Sequence, residues 1–203
     1  MIALQPGLHY HPGYFSRPAQ EALLADIRAN VRNAPLFTPV MPKTDQPFSV
    51  RMSNCGALGW VSDQAGYRYQ PHHPQTGLPW PPIPPALADL WQAVSGYPHP
   101  PEACLVNYYA PGARMGLHQD RDEADLAAPV VSVSLGATAL FRFGGLRRND
   151  PTRSVRLESG DVLVIGGASR LCFHGIDRLF PGTSMLIADD GRINLTLRRV
   201  TRP

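Results

Sequence analysis

The chain has 203 residues, 43% of them apolar and 17% charged, proportions that suit one folded domain and exclude charge-rich disorder or a coiled coil. Apolar runs such as Val162 to Ile165 stop after a few residues, far below the ~18 to 20 that cross a bilayer, so no membrane partner is expected. The net charge of +3 does not establish a polyanionic partner, but it has the sign one requires.

Lys43 is the lone lysine, and the other eighteen basic residues are Arg. Biased codon usage accounts for this, and so would a need for bidentate contacts to carboxylates or phosphates. The first ten residues lack the basic start and apolar run of a secretory signal. Cys55, Cys104 and Cys172 are odd in number and widely spaced, which argues for reduced thiols and against a disulfide framework or a cysteine zinc site. A cytoplasmic monomer is the expectation.

In chain order, Arg17 to Ala34 places Leu23, Leu24, Ile27 and Val31 on one face, with Ser16 as a candidate cap and Pro18 in the first turn, and reads as an amphipathic helix. Pro71 to Pro85 holds seven prolines in fifteen residues and predicts an extended, ordered loop. Leu87, Leu90, Trp91 and Val94 predict a second helix from Pro85 to Ser95, stopped by Gly96. From Ala103 onward the period becomes two. Short runs at Cys104 to Tyr109, Val130 to Leu135, Ala139 to Phe143, Ser154 to Leu157, Asp161 to Ile165, Leu171 to His174 and Ile193 to Val200 alternate with turn residues. The expected fold is mainly β with flanking helices, a jelly-roll or similar double-sheet barrel.

His118, Gln119 and Asp120 form an H-x-D triplet. Residues two apart in extended chain share a side, and His174 supplies a third donor, giving the two-His, one-carboxylate set that leaves coordination positions open on Fe(II). Taken alone the triplet is weak: seven His in a chain with sixteen acidic residues yield about half such a triplet by composition. His118 would equally suit the surface and His174 a core. Further along, Ile193, Leu195 and Leu197 alternate with Arg192, Asn194, Thr196 and Arg198. The polar face either meets water or turns into a reaction chamber, where its guanidiniums would bind a dicarboxylate. Asn107 and Tyr109 repeat that spacing.

These residues carry a family resemblance. Met52-Ser53-Asn54-Cys55-Gly56, Leu58-Gly59-Trp60, Asn107-x-Tyr109-Ala110-Pro111-Gly112-Ala113, Leu117-His118-Gln119-Asp120-x-Asp122-Glu123, Ala128-Pro129-x-Val131-Ser132-Val133-Ser134-Leu135-Gly136, Phe143-Gly144-Gly145-Leu146, Arg148-Asn149-Asp150-Pro151 and Arg192-x-Asn194-Leu195-Thr196-x-Arg198 resemble, in order, the AlkB family of Fe(II) and 2-oxoglutarate dependent dioxygenases, in particular its bacterial DNA-repair branch. The likeness covers about three quarters of the chain, from Phe48 to Arg199, and residues 1 to 46 contribute little.

The resemblance implies a double-stranded β-helix (jelly-roll) in a single domain over 1–203, with an N-terminal extension and helix at 1–46, a nucleotide-recognition lid and Pro-rich loop at 47–85, and a catalytic core at 103–200. It implies Fe(II) held by His118, Asp120 and His174, with oxygen and 2-oxoglutarate as cosubstrates. Arg198 would bind the far carboxylate of 2-oxoglutarate, Arg192 would lie near the iron-chelating end, and Asn107, Tyr109 and Asn194 would hold the remaining oxygens. Trp60 and Tyr67 would contact the damaged nucleotide, although both also suit simple packing. Asp122 would lie beside the base, and Arg148 near the substrate strand. Asp122 also falls within a charged run with Arg121, Glu123 and Asp125 that suits a solvated surface. The implied reaction is demethylation of 1-methyladenine or 3-methylcytosine in DNA, with RNA as an alternative polymer and a non-catalytic reader of alkylated bases as a third reading.

Overall fold

Period-two apolar runs punctuated by Gly and Pro break the chain into short strands, two α-helices and two single 3-10 turns. The computed structural model describes residues 1–203 as β1 (Ile2–Gln5), β2 (Leu8–His11), α1 (Arg17–Asn33), β3 (Val50–Gly56), β4 (Gly59–Asp63), β5 (Gly66–Gln70), α2 (Pro85–Val94), β6 (Ala103–Tyr109), β7 (Met115–His118), β8 (Val130–Gly136), β9 (Thr138–Phe143), β10 (Arg153–Leu157), β11 (Val162–Ile165), β12 (His174–Phe180) and β13 (Arg192–Arg198). A seven-stranded sheet in the order β1-β2-β11-β8-β13-β6-β3 faces a four-stranded sheet in the order β10-β9-β12-β7. All pairings are antiparallel. The result is the jelly-roll that the alternation predicts. No helix is long and apolar enough to cross a membrane.

Both helices cover the outer face of the larger sheet. Leu23, Leu24 and Ile27 of α1 and Leu87, Leu90 and Trp91 of α2 pack in one cluster with Val131, Val133, Ile193, Leu195 and Leu197. The opposite face meets the smaller sheet, where Leu105, Tyr109, Leu163, Phe141, Phe143 and Ile176 form a second cluster. One face of β13 is therefore committed to the helices, which turns Arg192, Asn194, Thr196 and Arg198 between the sheets. The alternative of a wet outer side is excluded.

Several expectations need correction. The run Leu171 to His174 is not a strand: the chain turns there, and β12 begins at His174, because Arg170 and Cys172 donate backbone N–H groups to Gly167 and Ser169 and close local turns. Residues 2–11 form two strands of the larger sheet, β2 pairing with β11, a contribution hidden because four-residue strands carry little pattern. Ser16 precedes α1 but makes no side-chain cap; its carbonyl accepts from Gln20. β3, inside the segment expected to form the lid, pairs with β6 as an edge strand, and only the β4–β5 hairpin stands apart as a two-stranded ribbon.

Leu195 is fully buried between β8, β6 and the helices. Leu195→Ala is expected to lower stability by about 2 to 5 kcal/mol through lost burial and a residual cavity, read as a shifted urea midpoint at unchanged slope.

Candidate metal and cosubstrate site

His118 and His174 meet because β7 and β12 set them directly opposite each other. Gly175 permits the approach, since a Cβ there would lie 2.5 Å from the carbonyl oxygen of Met115. The two imidazole centres are 4.6 Å apart. Each ring is oriented through Nδ1, His118 against the carbonyl of Gly116 at 2.9 Å and His174 against that of Cys172 at 3.0 Å. A carbonyl only accepts, so both Nδ1 atoms carry the proton and both Nε2 atoms present lone pairs.

Those lone pairs face the carboxylate of Asp120, Nε2 of His118 lying 3.6 Å from Oδ1 and Nε2 of His174 3.7 Å from Oδ2. Three acceptors thus converge, with ligand atoms within 4.8 Å of one another, at distances too long for hydrogen bonds. A cation satisfies all three at once, and the carbonyls of Gly116 and Cys172 fix the tautomer that ligation needs. Burial and the neighbouring His118 push the pKa of His174 down to about 4. It is neutral at pH 7 and available as a donor to a metal. Burial alone would raise the carboxyl of Asp120, but the Arg198 guanidinium beside it outweighs this and holds it well below the usual carboxylate range.

Asp120 lies beyond the end of β7, so strand geometry does not hold it. Arg170 does: its guanidinium donates to the Asp120 carbonyl at 2.6 Å, to the Ala128 carbonyl at 2.8 Å and to Glu123 at 3.0 Å. Gln119 adds a bond to the Leu171 carbonyl at 2.6 Å. Arg198 reaches Asp120 at 2.8 Å, Glu123 at 2.9 Å and the Tyr69 hydroxyl at 3.0 Å, and Tyr69 donates to Glu123 in turn. Glu123 and Asp125 are buried. The charged run from 121 to 125 is therefore not a solvated face, although Arg121 and Asp122 are exposed.

The second row lies along β13, where the register sets Arg192 beside Tyr109 and Asn194 beside Asn107. Arg192 is 1% exposed, packs 5.1 Å from the centre of the Tyr109 ring and donates to Ser134 Oγ at 3.0 Å. Its Nε and Nη1, and Oδ1 of Asn107, are buried without a partner. Unmatched buried guanidinium donors are costly, and a carboxylate supplies the acceptors they lack. Burial lowers the Arg192 pKa and lifts that of Tyr109 to about 12, so Tyr109 stays a neutral donor. Arg170 and Arg198 are balanced by Asp120 and Glu123, whereas Arg192 has no carboxylate partner, an unbalanced buried cation that suits one carboxylate of a ligand.

Arg198 contacts Asp120, whereas Arg192 lies six residues away on β13, about 20 Å along an extended chain. Arg198 thus sits at the metal end and Arg192 at the remote end, the opposite of the order that the resemblance implied. Two residues beyond Asp120, Asp122 accepts from Trp60 Nε1 at 2.8 Å, and the Trp60 ring is stacked with Tyr67 at 5.6 Å and 17°. Trp60 is 8% exposed and Tyr67 48%. Arg148 is exposed and lies over the Phe173 ring at 5.0 Å.

Tyr69, Glu123, Arg170, Ser132 and Ser134 were missed by sequence reasoning. The serines were findable, because they alternate with Val131, Val133 and Leu135 as polar residues on a strand. Arg170 and Glu123 carried no such periodicity.

Residues 7–198 match the family described as the 2OG-Fe(II) oxygenase superfamily. An alpha-ketoglutarate-dependent dioxygenase AlkB homolog of Caulobacter vibrioides is 54% identical over 98% of this chain and 90% of its own length. This chain belongs to the AlkB family. The alpha-ketoglutarate-dependent dioxygenase AlkB of Escherichia coli is 49% identical over 91% of this chain and 87% of its own, and the solved structure of OsALKBH1 superposes with a TM-score of 0.79 at 31% identity, covering 98% of this chain and 100% of that one. The AlkB family uses Fe(II), 2-oxoglutarate and oxygen, and the convergent donors and orphaned guanidinium atoms of this chain fit the first two.

Arg170→Met is expected to destabilise the fold by about 3 to 5 kcal/mol, because one of two guanidiniums facing buried Glu123 is lost. Urea unfolding measures it, and Ile165→Val, about 0.5 to 1.5 kcal/mol by simple truncation of a buried core residue, is the comparison.

Proposed function

We propose that this AlkB-family dioxygenase removes methyl groups from the Watson-Crick ring nitrogens of nucleobases such as 1-methyladenine and 3-methylcytosine in DNA, reversing alkylation damage. The observation that carries the reading is the pairing of Trp60 with Asp122, two residues along the chain from Asp120: an indole, a ring type that stacks on bases, tied to a carboxylate. Stacking on an aromatic ring is worth about 1 to 3 kcal/mol per base. Bases methylated on those nitrogens are cationic, so Asp122 favours them over their neutral products. A base stacked on a protein ring has left its own stack.

In this reading His118, Asp120 and His174 hold the metal, with Asp120 kept ionised by Arg198. Arg192 takes the far carboxylate of 2-oxoglutarate, with Asn107, Tyr109 and Asn194 along the length of the molecule. Bound Fe(II), 2-oxoglutarate and oxygen supply hydroxylation of the N-methyl group, with succinate and carbon dioxide as coproducts. The hydroxymethyl group then leaves as formaldehyde and restores the base. Tyr67, exposed beside Trp60, contacts the nucleotide edge, and Arg148 a phosphate. Three buried free cysteines suit the reducing cytoplasm, where the protein is read as a monomer.

The test follows formaldehyde, succinate and oligonucleotide mass with matched DNA and RNA strands bearing 1-methyladenine or 3-methylcytosine. Loss of one methylene unit from DNA at a rate matching or exceeding RNA is expected. Strong RNA preference moves the substrate to RNA, and succinate without demethylation of either strand removes the nucleobase reading. Asp122→Asn is expected to lower kcat/KM about tenfold for the cationic base, equivalent to about 1.4 kcal/mol of transition-state binding.

A further inference from the structure

The outer face of the smaller sheet carries guanidiniums that the proposed reaction does not use. Arg156 of β10 and Arg178 of β12 are both registered opposite Leu140 of β9, so the three residues form one row across three strands. Phe141 and Phe143 of β9 point into the core. Their alternates Leu140 and Arg142 therefore point outward, and Arg156 and Arg178, both exposed, share that side. The guanidinium carbon of Arg156 lies 4.6 Å from the centre of the Phe180 ring and that of Arg178 lies 5.4 Å from it. One ring thus holds two cations within about 10 Å of each other. Arg142 on the same face is neutralised by Asp177 at 3.0 Å, but neither Arg156 nor Arg178 has an ionic partner.

Stacking on a phenyl ring fixes a planar guanidinium and leaves its N–H edge free for an acceptor. Two fixed like charges repel, and a polyanion relieves the repulsion. The row also points toward the site: Arg142 is registered opposite Gly175, next to His174, and the β9–β10 turn beyond it exposes Arg147 and Arg148.

We propose that this face is a phosphate track for the nucleotides flanking the target base, with Arg156 and Arg178 clamped on Phe180 as its far contact. The proposal rests on the nucleic-acid reading above. The bound chemistry is the phosphodiester backbone alone, without base recognition.

The test compares wild type, an Arg156→Ala/Arg178→Ala double variant and the matching double lysine variant, Arg156→Lys/Arg178→Lys. Binding of a single-stranded methylated oligonucleotide of about twenty nucleotides is followed by fluorescence anisotropy across a salt series. The alanine variant is expected to lose about 1.4 from the slope of log affinity against log salt, the share of two phosphates on a single strand, and the lysine variant to keep most of it. Turnover of a methylated trinucleotide, too short to span the track, is expected to be unchanged in both. A wild-type slope in the alanine variant overturns the track. Failure of wild type to demethylate the trinucleotide, with the slope still dependent on the two arginines, overturns the proposed reaction and leaves the track standing.

Discussion

The ion pair between Asp120 and Arg198 is the constraint on which the site depends. Three groups with lone pairs are packed together with no proton between them, and a buried carboxylate among them would ordinarily take up a proton. Arg198 at 2.8 Å prevents this. It also reaches Glu123, which is shared with Arg170, which in turn holds the Asp120 backbone. Two guanidiniums and two carboxylates neutralise one another out of water, and breaking such a set exposes an uncompensated charge. The loop after β7 therefore acquires a fixed shape without belonging to a strand.

The jelly-roll places this network by two independent registers. β7 against β12 sets the two imidazoles opposite each other, and β13 between β6 and β8 turns Arg192, Asn194 and Arg198 between the sheets. The same strand sends Leu195 and Leu197 to the helices, so stability and function are written on alternate residues. Tyr69 of β5 ties the β4–β5 hairpin to Arg198 and Glu123. That hairpin and Asp120 thus share one hydrogen-bonded group.

Legibility from sequence followed periodicity. Strand β13, the Asn107 and Tyr109 pair and the H-x-D triplet were readable because alternation assigns faces without knowledge of partners. The hairpin of β1 and β2 was not, since four residues carry too little pattern and its place depends on β11, about 150 positions away. Arg170 and Glu123 read as ordinary charges, because only tertiary pairing makes a buried guanidinium tolerable. The ends of the cosubstrate row were invisible for the same reason: spacing puts Arg192 and Arg198 on one face, and only the contact with Asp120 tells which end is which.

The central claim is that His118, Asp120 and His174 form a single metal site fixed by these contacts. Anaerobic calorimetric titration of Fe(II) into the metal-free protein, with 2-oxoglutarate present and absent, tests it against His118→Ala. The account predicts one equivalent bound by wild type, more tightly with 2-oxoglutarate, and a loss of most of that affinity in a variant that remains folded. Equal stoichiometry and affinity in His118→Ala would contradict it.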